Sequence, residues 1–380
     1  MTSLQDNLPH TTEQLMDSLT TFSPRPGFDI CIKGKQVTAV NERLISLTIT
    51  EHRGFTADTV EIELDDTDGK LALPSRGTQI EVAIGWQHAP LVKKGTFIVD
   101  EITHHGPPDT LTISARSADF RQEFNIKREY SWHNCTVSYV VSAIAGRYNL
   151  IPAISTELAS LEIDHADQTK ESDISFLTRM AEMLGAATTI KNGYLLFFTP
   201  GTGRTARGRV LPSITLTRSS GDSHNFRVAD RDAYTGVEAH WHDFNAGKKR
   251  KTRITGKRKQ TTQQKKQEKP VGQYLEGATG NVYVMRTTYA SEQAARRAAI
   301  AKWQQLKRGA ASFSLTLARG QPELYPELHA VCRGFKPAID EGDWTITKAT
   351  HTIANNGYRT ALELEVRLTD WTLTAETDKT

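Results

Sequence analysis

Residues 95–116 read GTFIVDEITHHGPPDTLTISAR, and residues 342–367 read GDWTITKATHTIANNGYRTALELEVR. Gly95, Phe97, Thr103 and His104 match Gly342, Trp344, Thr350 and His351 at one constant offset. After a turn four residues longer, Leu111, Ile113 and Arg116 match Leu362, Leu364 and Arg367. Each copy spells an antiparallel hairpin: an extended run, a Gly/Pro or Asn-Gly turn, then a strictly alternating strand. A chain that carries one β-module twice can contribute twice to a ring. Three such chains would present six similar units to a sixfold partner.

Working outward, the first module spans 28–118. Ile45, Leu47 and Ile49 alternate with Ser46, Thr48 and Thr50, and Val60, Ile62 and Leu64 alternate with Glu61 and Glu63. Asp65-Asp66-Thr67-Asp68-Gly69 closes that strand as a turn, and Ile80, Val82 and Ile84 continue the pattern. Period-two alternation over short runs means sheets with one buried face, hence a barrel or sandwich. The second module is expected over 232–370. Val237, Ala239 and Trp241 share a face there, a helix over 291–308 buries Ala295, Ala299, Trp303 and Leu306, and four further strands end at 368.

Residues 119–231 change character and predict an inserted α+β domain. Val137, Val140, Val141 and Ile144 have helical spacing, and Ser172 caps a helix that buries Ile174, Leu177, Ala181 and Leu184 before Gly185. Asn192-Gly193 between two apolar runs predicts a type I′ hairpin. Residues 1–27 read as an arm with at most a short helix near 11–20, and 371–380 as a loose polar tail. The expected fold class is α+β, mainly β: two similar β-barrel-like modules around an insertion.

Composition bounds the function. The 380 residues are 24% charged and 38% hydrophobic, an ordinary soluble balance with enough apolar material for cores. No apolar run approaches the ~20 residues a membrane span needs, so no stable membrane insertion is expected. The N-terminus lacks the basic start and apolar stretch of a secretory signal, which implies synthesis and assembly in the cytoplasm. Cys31, Cys135 and Cys332 are few and far apart, and read as reduced packing residues. Residues 247–269 hold eleven Lys/Arg and one acid, and without them the formal charge falls from +3 to −7.

Several clusters invite chemistry. His240 and His242 share one strand face, but no third ligand stands at a supporting spacing. Asp164, His165 and Asp167 read as turn residues ahead of a helix cap. Glu171 and Asp173 flank Ser172, where the positive end of a helix dipole explains them without catalysis. Gly201-Thr202-Gly203 follows Pro200 and opens no helix, so it cradles no phosphate. Neither a catalytic set nor a cofactor or metal site emerges. The basic insertion, 245–270, with Lys248, Lys249, Arg250, Lys251, Lys257, Arg258 and Lys259, is a candidate polyanion contact. It lacks interleaved aromatics for stacking, so a solvated loop is the favoured reading and nucleic-acid binding the alternative.

The stretches ADTVEIELDD (57–66), LPSRGTQIEVAIGW (73–86), VDEITHHGPPDTLTISARSADFR (99–121), SWHNCTVSYVVSAIAGRYNL (131–150), DQTKESDISFLTRMAEMLGA (167–186) and RDAYTGVEAHWHD (231–243) resemble the phage late control protein D family. The segment ESDISFLTRMAEMLG is also similar to the N-terminal half of type VI secretion spike proteins. The resemblance implies a structural baseplate hub of a contractile tail, located in the virion. It implies a homotrimer whose paired modules form a pseudo-sixfold ring, with a spike, a tail-tube or tube-initiator protein and a tape-measure protein as partners. No needle-like β-repeat follows the second module, so the spike is expected to be a separate polypeptide. Ile45, Leu47, Ile49, Val60, Ile62, Val237, Trp241, Leu362 and Leu364 mark the expected ring-forming strands. Their Thr, Ser and Glu neighbours are expected to line the channel or meet adjoining modules.

Overall fold

A computed structural model describes residues 25–32, 34–37, 39–117, 122–228, 234–258, 280–368 and 371–377. Pro26–Ile32 (β1), Lys35–Gln36 (β2), Ala39–Arg43 (α1), Leu44–His52 (β3), Thr59–Asp65 (β4), Gln79–Trp86 (β5), Val92–His105 (β6) and Thr110–Ser117 (β7) form the first unit. An α+β insertion follows: Lys127–Thr136 (β8), Val137–Arg147 (α2), Ile151–Ile154 (β9), Thr156–Ala159 (α3), Glu162–Ser172 (β10), Asp173–Leu184 (α4), Ala187–Lys191 (β11) and Tyr194–Phe198 (β12). Ser213–Thr217 (β13) and Gly221–Val228 (β14) precede Gly236–Asp243 (β15), Lys248–Arg258 (β16), Val282–Tyr289 (β17) and Glu292–Arg308 (α5). Ala311–Leu317 (β18), His329–Arg333 (β19), Pro337–Asp340 (α6), Asp343–Ala354 (β20), Gly357–Val366 (β21) and Trp371–Thr377 (β22) complete the chain. The expected arm helix over 11–20 lies outside the described residues.

The repeat extends well beyond the two hairpins. Ranked along the chain, β1, β3, β4, β5, β6 and β7 lie side by side in the order 2-3-6-5-4-1. Ranked likewise, β13, β14, β18, β19, β20 and β21 also lie as 2-3-6-5-4-1. Two differences separate them: β2 adds a short strand beside β1 with no counterpart at β13, and β1 runs antiparallel to β5 whereas β13 runs parallel to β19. Each unit has its own apolar core, around Leu47, Ile62, Val82 and Phe97 in the first and Phe313, Leu315, Trp344 and Leu364 in the second. The mainly-β reading holds, but neither unit closes into a barrel. Both belong to one open thirteen-stranded sheet, spliced where β3 pairs with β20.

The hairpins correspond with a slip that the sequence match missed. Ile102 lies opposite Ile113, and Ala349 lies opposite Leu362, so Leu362 takes the place of Ile113. The second hairpin is therefore two residues longer at its tip, from His351↔Thr360 against His104↔Leu111. A slip by two keeps every side chain on its face, which is why the apolar pattern alone did not reveal it.

The second unit also departs from its expected span. Its first two strands, β13 and β14, precede residue 232, while β15, β16, β17 and β22 form a separate four-stranded sheet under α5. The basic segment was expected to be a loop, yet 248–258 is the strand β16, paired with β15 and β22. The tail likewise is ordered as β22 over Trp371–Thr377. Gly256 makes this packing possible: a Cβ there would stand 2.0 Å from Cζ2 of Trp303 on α5.

In the insertion the local signals act as read. Ser172 Oγ accepts from Ser175 N at 3.2 Å, and Gly185 ends α4 at φ +68°. Asn192 and Gly193, with φ of 51° and 76°, make the type I′ turn between β11 and β12. The insertion is tied to the first unit by Lys191 paired with Asp58 and by Thr189 Oγ1 donating to Gly54 O at 2.9 Å.

Candidate assembly interface

The feature that positions everything else is the seam between the two units. β3 and β20 pair antiparallel over seven rungs, from Lys348↔His52 to Ala354↔Ser46. The tip of the β20–β21 hairpin reaches across the seam, and Ile353 and Tyr358 are buried in the first unit's core. Tyr358 tilts against Trp86 with ring centroids 5.3 Å apart, and Trp86 Nε1 donates to Gly320 O at 3.0 Å. Burying each such side chain is worth about 1.5–3 kcal/mol, so the hairpin tip is a wedge that locks one unit onto the other.

Charge is buried along the same seam. Lys94 Nζ lies 2.7 Å from Glu51 Oε2 and 3.0 Å from His351 Nε2, and donates to Leu324 O at 3.3 Å. His351 Nδ1 lies 3.0 Å from Thr360 Oγ1 and 3.0 Å from the Tyr358 hydroxyl. Burial holds the His351 imidazole below its ordinary range, outweighing the Glu51 carboxylate. Burial works to raise Glu51, but the hydrogen bond to His351 and the Lys94 ammonium prevail and keep its carboxyl low. The seam is thus built for a neutral histidine and an ionised glutamate. Nearby, Arg53 pairs with Glu327 and, at 2.5 Å, with Glu365.

The face of the sheet opposite the cores is polar. Thr48 and Thr50 lie beside Thr352 and Thr350, Glu61 and Glu63 beside Ser114 and Thr112, and Glu363 beside Ser314. One continuous Ser/Thr/Glu surface therefore crosses both units. Along the run β14-β18-β21-β20-β3-β4-β7-β6, which crosses both units, two strand edges stay open among the described residues. β14 pairs only with β18, and Glu101–His105 of β6 pair only with β7.

The expected ring residues fall into three places. The side chains of Leu47, Ile49, Val60 and Ile62 are buried in the first core, and those of Leu362 and Leu364 in the second. Ile45 drops out of the apolar stripe at a bulge between Leu44 and Ser46. Val237 and Trp241 sit in the separate sheet under α5. What the sequence reading missed is β14. Its GDSHNFRV run offers only Phe226 and Val228 as apolar signals, as suits a strand with an exposed edge.

The other clusters are held by local contacts. His165 and Asp167 lie on β10, not in a loop: Asp167 accepts from Ser131 Oγ at 2.6 Å and meets His165 Nε2 at 2.8 Å. Asp164 is on the same strand, and Glu171 pairs with Arg179 at 2.7 Å. Asp173 is wholly buried at the start of α4, bound by Arg147 at 2.8 Å and the Tyr148 hydroxyl at 2.6 Å. Burial and that carboxylate push the Tyr148 phenol up to about 12. His240 lies 3.6 Å from Glu238, and His242 packs edge-on to Phe244. Among the described residues no group of three His, Cys, Asp or Glu could hold a metal ion. Arg367 clasps the Gly201-Thr202-Gly203 loop, donating to Gly201 O at 2.7 Å and Thr202 O at 2.8 Å. Lys249, Lys251 and Lys257 are exposed on β16, Lys248 lies at its start, and Arg250 reaches Asp243 at 2.8 Å. Arg258 ends that strand, and Lys259 lies outside the described residues.

A family model for the phage tail baseplate hub matches residues 57–357. The chain is 45% identical to the probable baseplate hub protein of Escherichia phage 186, across 97% of this chain and 99% of that protein. It is similar in structure to the 43 kDa tail protein of prophage MuSo2 from Shewanella oneidensis, with a TM-score of 0.61 at 14% identity, covering 89% of this chain and 98% of that one. It is also similar to a type VI secretion system component of E. coli, with a TM-score of 0.51 at 13% identity, covering 90% and 77%. At such identities the two structures speak for the fold alone.

Proposed function

This chain belongs to the phage tail baseplate hub family, and from that premise we propose that three copies close into a pseudo-sixfold ring joining the tail tube to the central spike. The observation that carries the proposal is the repeated strand order 2-3-6-5-4-1, with the two units spliced through β3 and β20. Two like units in one chain make a threefold assembly present six similar surfaces, which is what a sixfold tube requires of its adaptor. The work is mechanical. The buried seam fixes the angle between units, and the polar Ser/Thr/Glu face lines a wet channel through which a tape-measure protein passes.

The assembly forms in the host cytoplasm and ends in the virion as part of the tail. No helix among the described residues is long and apolar enough to cross a membrane. The test is mass measurement of the chain alone and mixed with spike and tube proteins from the same tail. A complex of three hub chains on three spike chains is the expected result. A complex of a single hub chain with its spike, or a hub that never exceeds a monomer, overturns the ring.

A further inference from the structure

The repeat dictates more than the number of subunits: granted the proposed ring, it also dictates which strands meet between them. Within one chain, rank-two strand β3 of the first unit pairs with rank-five strand β20 of the second. The same partnership with the units exchanged would join β14, rank two of the second, to β6, rank five of the first. In one molecule these strands stand at opposite ends of the run β14-β18-β21-β20-β3-β4-β7-β6. Each also has an open edge among the described residues. The geometry points to a direct antiparallel pairing of β14 with β6 of a second copy of this chain, in the register of the internal seam.

That register can be written down. On the β6 side, Ile102 and Ala349 are equivalent because they lie opposite Ile113 and Leu362 in the two hairpins. On the β14 side, Leu47 pairs with Ile62, which pairs with Ile113, while His224 pairs with Leu315, which pairs with Leu362. Leu47 and His224 are therefore equivalent, as are Ile49 and Phe226. Transferring the seam, Ala349↔Glu51 becomes Ile102 opposite Val228, and Thr350↔Thr50 becomes Thr103 opposite Arg227. His351↔Ile49 becomes His104 opposite Phe226, and Thr352↔Thr48 becomes His105 opposite Asn225.

The chemistry of these rungs is complementary. Ile102 meets Val228 on the core side, where Phe226 and Val228 already pack against the second unit's core. Thr103 and Arg227 fall on the polar face, continuous with Thr50 and Thr350, and Arg227 there lies diagonal to the exposed carboxylate of Glu101. The tip of the β6–β7 hairpin, exposed from His104 to Gly106, would reach onto the neighbour as the β20–β21 tip reaches into the first unit. Pairing satisfies two rows of backbone donors and acceptors that the described residues of a single copy leave open.

The experiment is disulfide trapping in the full chain. Thr103→Cys with Arg227→Cys is compared with Thr103→Cys paired with Asn225→Cys, two residues out of register. Ile102→Cys with Val228→Cys is a second in-register pair on the other face. Single variants control for Cys31 and Cys135. Directly opposed residues fit disulfide geometry and diagonal ones do not, so both in-register pairs should give about tenfold more covalent dimer and trimer. Light scattering on the unmodified chain reads the oligomer separately. A trimer that cross-links equally or better through Asn225→Cys overturns this register while the ring stands. A chain that stays monomeric to its solubility limit and forms no cross-link removes the ring and this interface together.

Discussion

His351, carried by β20 of the second unit, lies 3.4 Å from the carboxylate of Glu51 on β3 of the first, and Lys94 bridges the two. Because burial depresses the His351 imidazole, the unfolded chain binds more protons than the folded one once pH falls through the ordinary histidine value of about 6.5. Stability from this group is present above that value and is lost on descent toward the lowered folded value. Glu51, also depressed, adds a second loss as pH falls below its unfolded value of about 4.5. Thermal unfolding followed from pH 8 to about pH 2.5 should show Tm declining in these two stages. His351→Gln should flatten the first stage and shrink the second, because Glu51 then keeps only the Lys94 ammonium to hold its carboxyl low.

Removing the carboxylate tests the seam more severely. Glu51→Gln leaves the Lys94 ammonium, whose side chain is only 3% exposed, without its counter-charge. Breaking a buried ion pair from one side costs about 3–5 kcal/mol. Urea unfolding should show that loss, and Lys94→Met combined with Glu51→Gln should recover part of it. A loss below about 1 kcal/mol, the range of exposed pairs, would mean water reaches the seam.

How much of this could be read beforehand depends on what each strand buries. β4, with Val60, Ile62 and Leu64 buried against Glu61 and Glu63, announced itself, as did the capped helix α4 and the Asn192-Gly193 hairpin. β14 did not, because an edge strand on a rim gains little from apolar side chains. β16 was masked by its lysines: Thr252 and Ile254 are buried at every second position, but Lys249, Lys251 and Arg253 between them dominate the composition. The Glu51–Lys94–His351 cluster was beyond reach, since its members come from three strands of two units and only pairing brings them together.

Gly256→Ala should destabilise the sheet under α5 while leaving the ring intact. The added Cβ would clash with the ring of Trp303, and over-packing of this kind costs typically about 1–3 kcal/mol. Trp303 fluorescence should shift, and urea unfolding should begin earlier. Because β16 belongs to the separate four-stranded sheet, the mass of the assembled protein should not change. A variant that folds but no longer assembles would assign that sheet to the ring.

The basic strand poses the last question, whether its charge serves nucleic acid. Lys249, Lys251 and Lys257 are exposed on β16, the first two opposite His242 and His240 of β15 and the third opposite Thr372 of β22. Arg250 is engaged by Asp243, and Lys251 lies 3.8 Å from Glu238, so part of the charge is answered within the chain. The strand β16 carries no aromatic residue among its lysines to stack a base, so phosphate contacts are its expected mode. Each phosphate contact contributes about 0.9 to the slope of log affinity against log salt, so three lysines control at most a slope of about 3. Binding to duplex DNA should be weak at low salt and absent at physiological salt, and Lys249→Gln, Lys251→Gln and Lys257→Gln together should abolish it without altering the oligomer. Fluorescence anisotropy across a salt series reads both quantities. Tight binding that survives 0.2 M salt, with a slope well above ~3, would make this strand a nucleic-acid site in its own right.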